Sequence, residues 1–151
     1  MGLDRWRRLM PGLWAGWLLC VALLATPAPF ALLAQADAGR VVGRMLAQEA
    51  YTSLALGVLV LILERLTARR ALAAGAGSQF SAGMLLALGA LFCTVAGYFA
   101  LQPMMAAARA GHGPLSFGQL HAVSAAFYLV KLGLVGALAW RATTFRRAAS
   151  S

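Results

Sequence analysis

Four long apolar stretches, Pro11–Leu33, Met45–Leu66, Phe80–Leu101 and Gly118–Trp140, are separated by short arginine-bearing connections. Each approaches or exceeds the roughly 20 residues a helix needs to cross a hydrocarbon core of about 30 Å. In lipid every backbone donor and acceptor must be satisfied inside the protein, so runs of this length are helices. A barrel would instead show alternating strands of about 9–11 residues. With 62% hydrophobic and 11% charged residues, the 151-residue chain lacks the polar surface of a soluble domain. The expectation is an all-α integral membrane four-helix bundle, one domain over residues 10–141, with basic tails at 1–9 and 142–151.

The formal charge is +9. A nucleic-acid surface would gather such cations on one continuous face, often interleaved with aromatics. Here they sit at the ends of the apolar runs, so the expected partner is the lipid bilayer and not nucleic acid. Arg5, Arg7, Arg8, Arg65, Arg69, Arg70, Arg141, Arg146 and Arg147 fall on one side of a four-span arrangement. Arg40, Arg44 and Arg109 fall on the other, with Lys131 inside a span. By the positive-inside tendency, both termini and the 67–79 loop are expected in the cytoplasm, the membrane being a bacterial inner membrane. Contact with anionic lipid is a second consequence of the same charges. The rival reading of the first run is a secretory signal, with Arg5–Arg8 as its basic part and Ala34-Gln35-Ala36 as a cleavage site. The run is long for a signal and right for a span, so it is expected to remain uncleaved.

Local patterns add expectations about shape. Gly12 and Gly16 form a small-xxx-small pair that admits a neighbouring helix, and Gly89, Cys93 and Gly97 recur every four residues as a close-packing stripe. Trp6, Trp14 and Trp17 suit a membrane interface. Thr26-Pro27-Ala28-Pro29 should kink or end the first helix, and Gln102-Pro103 should end the third. Asp37 reads as the N-cap of the second. Cys20 and Cys93 lie in spans of the same direction; they are expected to pack as small apolar side chains in preference to forming a disulfide or metal pair.

Polar residues inside a membrane are costly, and are therefore the informative minority. Relative to His121, Ser124, Tyr128 and Lys131 are i+3, i+7 and i+10, which places all four within roughly an 80° arc of one helix. That stripe must face the bundle or a watery cleft. Glu49 lies about one turn into span two and His121 about one turn into span four from the same side. A Glu49–His121 pair is therefore expected, with Thr52 and Ser53 continuing the polar track. It reads either as a proton-responsive or ligand-binding site or as a structural pair locking two helices. Lys131, near mid-membrane, either lines a hydrated cavity or is neutral, and Glu64 reaches it only if both side chains extend.

For a metal, haem or copper, the available ligands are His112, His121, Met104 and Met105, all at one end. No paired-histidine spacing and no Cys-x-x-Cys is present, so no metal and no cofactor is expected. Ser124 with His121 on one helix does not make a triad, and phosphate-cradling glycine loops are absent.

Leu13-Trp14-Ala15-Gly16, Pro27-Ala28-Pro29-Phe30 and Ala38-Gly39-Arg40 resemble the start of the transmembrane protein 205-like family, and Phe117–Ser124 with Tyr128 resembles its fourth-span pattern. The resemblance implies a four-helix integral membrane protein with His121 and Ser124 as family-type positions, and no established reaction. The first functional expectation is a structural or accessory protein that assembles with itself or with a membrane complex. The second is a small-solute or proton-coupled transport component on a Glu49–His121–Lys131 track. The third is a haem-linked redox protein.

Overall fold

The computed structural model describes residues 2–144, so most of the expected tail at 142–151, with Arg146 and Arg147, lies outside the described residues. Among the described residues every regular element is a helix. α1 (Gly2–Cys20) passes through a π-helical turn, Val21–Ala25, into α2 (Pro27–Leu32). α3 runs from Gln35 to Ala73. α4 (Ala82–Thr94) passes through a second π-helical turn, Val95–Ala100, into α5 (Leu101–Arg109), and α6 covers Phe117–Thr144. These make four rods, Gly2–Leu32, Gln35–Ala73, Ala82–Arg109 and Phe117–Thr144, each long and apolar enough to cross a membrane. The first and third rods each pack against the second and fourth. The result is an up-and-down square in chain order, the simplest arrangement for rods joined by short connections.

Of the two outcomes expected at Pro27, a kink or an end, the end does not occur, and the end expected at Gln102-Pro103 does not occur either. Neither Pro27 nor Pro103 ends its rod; each follows a π-helical turn, and the chain continues helically to Leu32 and to Arg109. A proline removes one backbone donor, and its ring crowds the carbonyl four residues back. Widening the preceding turn relieves both problems without breaking the rod. In the first rod the Thr26 amide reaches the Val21 carbonyl five residues back at 2.9 Å, and the Thr26 hydroxyl donates to the same oxygen at 2.8 Å.

The rod ends carry local signals. α3 and α5 stop at Gly75 (φ 75°) and Gly111 (φ 77°), left-handed positions that favour glycine. At each stop the following amide turns back, Ala76 to the Ala71 carbonyl and His112 to that of Ala107, both at 2.9 Å. α6 opens with a capping box: the Ser116 amide donates to Gln119 Oε1 (2.9 Å) and the Gln119 amide to Ser116 Oγ (3.3 Å). Asp37 is not the N-cap of α3. Ala34 holds that place, and Asp37 sits in the first turn paired with Arg40.

The half of the bundle nearer the two described termini is closed by Met10, Trp14, Leu18, Val60, Leu63, Ala87, Ala90, Val135 and Leu138. Trp14 is therefore core and not an interface anchor, whereas Trp6 and Trp17 remain on the outside. The reason is phase: Met10, Trp14 and Leu18 recur every four residues and share the inward face. Gly12 and Gly16 point the other way, and an added Cβ at either would meet nothing within 4 Å, so they do not make the expected contact within the chain. Gly97 does make one, its face closed by Phe127. Large apolar side chains such as Leu23, Leu24, Leu85 and Phe92 point outward around the bundle. In water such a surface would aggregate; in lipid it is the expected coat.

Candidate functional site

The half of the bundle away from the described termini is not closed. It holds a cavity of about 320 Å³ lined by residues from all four rods. His121, Ser124, Tyr128, Lys131 and Glu49 all lie on its wall. Their roles within it differ from the pairing read from spacing.

Glu49 does not pair with His121. Its Oε1 accepts a hydrogen bond from Lys131 Nζ at 2.8 Å and another from Ser53 Oγ at 2.5 Å. Ser53 in turn accepts from Trp14 Nε1 at 3.0 Å. Glu49 is 2% exposed, Lys131 3%, and Ser53 and Trp14 0%, so the chain Trp14–Ser53–Glu49–Lys131 is enclosed and ties the first, second and fourth rods. Lysine brings a full cation on a long flexible stem to the carboxylate, whereas the His121 ring is exposed and engaged in a stack on Phe117. The second Glu49 oxygen has no hydrogen-bond partner, and among the described residues no fully buried side-chain N or O atom lacks one. That oxygen therefore opens onto the cavity. The Lys131 ammonium also lies 4.6 Å from the centre of the Tyr128 ring, within cation–π range.

Glu64 does not reach Lys131 either. It is held at the other end of the bundle by Arg7 Nε (2.7 Å) and the Ser81 hydroxyl (3.2 Å). Thr52 faces away from the cavity, beside Trp17 and Arg44, so the polar track continues through Ser53 alone.

The remaining stripe residues serve the π-helical turns. Ser124 Oγ donates to the Gly97 carbonyl at 2.6 Å, and Tyr128 Oη to the Leu18 carbonyl at 2.8 Å. Each bond ties α6 to a neighbouring rod at or just before its widened turn. Tyr128→Phe is accordingly expected to lower bundle stability by roughly 0.5–1.5 kcal/mol while leaving helix content unchanged. Denaturation in mixed micelles followed by circular dichroism checks this, and a neutral substitution would show that the hydroxyl contributes nothing. Sequence reasoning missed Trp14 and the cavity-lining Tyr98, Gln102 and Thr94; the four-residue repeat of Met10, Trp14 and Leu18 was the available signal for the first.

His121 is exposed by area. Its ring stacks on Phe117 (centroids 5.8 Å apart, planes at 21°), and the Arg109 guanidinium lies over the other ring's centre at 4.3 Å. Arginine, phenyl ring and imidazole thus form a short stack beside the cavity.

Of the residues considered as metal or haem ligands, Met105 is buried on the cavity wall, while Met104 and His112 are exposed away from it. Among the described residues no three His, Cys, Asp or Glu side chains converge on one point. Cys20 faces outward and Cys93 inward, both as free thiols. A carboxylate and an ammonium already joined, in a wall that mixes apolar side chains with the hydroxyl and amide groups of Thr94, Tyr98, Gln102 and Ser124, can orient a guest but are not arranged as a nucleophile with its base.

No curated protein and no solved structure matches this chain. A family profile does match, over residues 9–113, and it covers the first three rods with Trp14, Glu49 and Ser53 but stops short of α6. Because the match spans well over half of the chain, the protein belongs to the family described as Domain of unknown function (DUF4149).

Proposed function

We propose that this is an accessory protein of a bacterial inner membrane, with both termini in the cytoplasm, whose bundle holds one small, mainly apolar molecule in a cavity opening toward the opposite face. The observation that carries the reading is the Glu49–Lys131 pair set into a cavity wall. A buried ion pair adds little net stability over apolar residues of the same volume, and charges at membrane depth are costly. A pair that faces a cavity is better explained by what enters it. Joined, the two groups offer a donor and an acceptor at no net charge. That suits a neutral head able both to donate and to accept, such as a phenol or an alcohol. A fully charged head would have to break the pair. Ala22, Leu46, Met105 and Leu129 supply an apolar wall for the remainder of the guest.

The orientation rests on the arginine-rich ends of the first, second and fourth rods. The likeness of Phe117–Ser124 to the transmembrane protein 205-like pattern belongs to the same reading, since those residues lie beyond the family match. A continuous path for protons or solutes has less support. Along α3, Glu49 and Glu64 are about 22 Å apart at 1.5 Å per residue. The closed core of Trp14, Leu18, Val60 and Val135 lies in that half of the bundle.

Hexylphenol is the test probe. It should raise the melting temperature of the purified protein saturably, and hexylbenzoate and hexylammonium should bind at least about tenfold more weakly, a difference of about 1.4 kcal/mol. The E49L/K131M double variant, which keeps volume and removes both charges, should lose the preference for the phenol. An unsaturable response, identical in that variant, would remove the reading.

A further inference from the structure

At the opposite end of the bundle lies a second, much smaller cleft, lined by Arg7, Arg8, Glu64 and Arg141 over an apolar floor that includes Pro11 and Leu138. Its charges do not balance. The chain has only four acidic residues, Asp4, Asp37, Glu49 and Glu64. Asp37 is taken by Arg40, Glu49 by Lys131, and Glu64 by Arg7 and Ser81. Asp4, one turn before Arg8 on α1, forms no ion pair among the described residues. Among the described residues, Arg8 and Arg141 therefore share one cleft with no carboxylate paired to either.

The surroundings say what kind of anion would do so. Arg141 follows Trp140, which is 73% exposed, and Arg8 precedes the outward-facing Leu9 and Leu13. Cationic groups thus sit where apolar outer surface begins, on rods that pack directly against one another. Guanidinium groups match the oxygens of a phosphate, with two parallel N–H donors each. Three turns further along the same faces, in phase with Arg8 and Arg141, lie the outward-facing Leu19 and Val130; such surface would be of no use to a free phosphate, but it is where the acyl chains of a phospholipid would run. We infer that Arg8 and Arg141 form a headgroup site for an anionic phospholipid on the seam between the first and fourth rods. The inference is independent of the cavity and its guest, because it concerns the other end of the molecule and different residues.

The full chain, purified in mild detergent, would be offered phosphatidylglycerol and phosphatidylcholine of the same acyl composition, and retained lipid read by native mass spectrometry. Phosphatidylglycerol should be retained preferentially. R8Q/R141Q should cut that retention about 20-fold, while R40Q/R44Q, at the other end, should leave it unchanged. In the unmutated protein, photoactivatable phosphatidylglycerol should crosslink to residues 5–13 and 138–142. Equal retention of phosphatidylcholine, an R8Q/R141Q variant that keeps its lipid, or crosslinks confined to other segments would each overturn the site. Displacement of the lipid by millimolar inorganic phosphate would assign the cleft to a soluble anion and overturn it as well.

Discussion

Glu49→Leu alone is expected to destabilise the bundle by about 3–5 kcal/mol, and Lys131→Met alone by a similar amount, whereas the double variant should fold with stability close to that of the parent. Either single change strands one charge among apolar side chains. Glu49 and Lys131 are 2% and 3% exposed, so neither can recover its partner's contribution from water. An isolated lysine near the centre of a membrane helix costs roughly 2.5–3.5 kcal/mol even with snorkelling, which agrees in scale. Removing both charges together removes the penalty with the attraction. Ser53 would lose its acceptor in both E49L and the double variant, an effect of about 1 kcal/mol that the comparison with K131M isolates. Unfolding by sodium dodecyl sulfate titration, read by far-ultraviolet circular dichroism, gives all three stabilities. Additive losses in the double variant would mean that the two residues do not act as a pair.

Trp14→Ala should be nearly as severe, on the order of 3 kcal/mol. In lipid the gain from burying an indole is not the gain of leaving water. What remains is lost packing, the void left behind, and the freed Ser53 hydroxyl. Trp14 is fully buried at the junction of the first, second and fourth rods, where Leu18, Val60 and Val135 close around it. Trp14→Phe separates the terms, since it keeps most of the volume and deletes only the donor to Ser53. About 1 kcal/mol is expected for it. The same titration checks both. A W14A protein as stable as W14F would place the whole effect in the hydrogen bond and none in the packing.

The broad architecture was legible because lipid leaves few choices: four apolar runs of spanning length admit little besides four helices. The inward stripe on α6 was legible for a related reason, since 100° per residue carries His121, Ser124, Tyr128 and Lys131 to one face whatever the neighbours are. Partner choice was not. Spacing matched Glu49 with His121 by depth along two straight rods, but depth says nothing of side-chain length or of which way a carboxylate turns. Lys131 lies nearly three turns beyond His121 along α6, yet its ammonium is the group that meets the Glu49 carboxylate, so the depths read from straight rods were not those of the packed bundle. Trp14 was misplaced because its residue type suggested an interface while its phase placed it inward, and phase prevailed. The π-helical turns were hidden as well. A proline announces a local problem, and whether the chain answers by stopping or by widening depends on neighbours such as Ser124 and Tyr128, which supply hydroxyls beside the altered turns.

The length of α3 carries a consequence of its own. Its 39 residues rise about 58 Å. A hydrocarbon layer of about 30 Å, crossed at a tilt of 40°, accommodates only about 39 Å of helix. Several turns must therefore stand proud of the acyl region like a mast through a deck. The chain around Arg40 and the stretch from Arg65 to Ala73 are the segments available to do so, and both carry arginines that would otherwise be dragged into hydrocarbon.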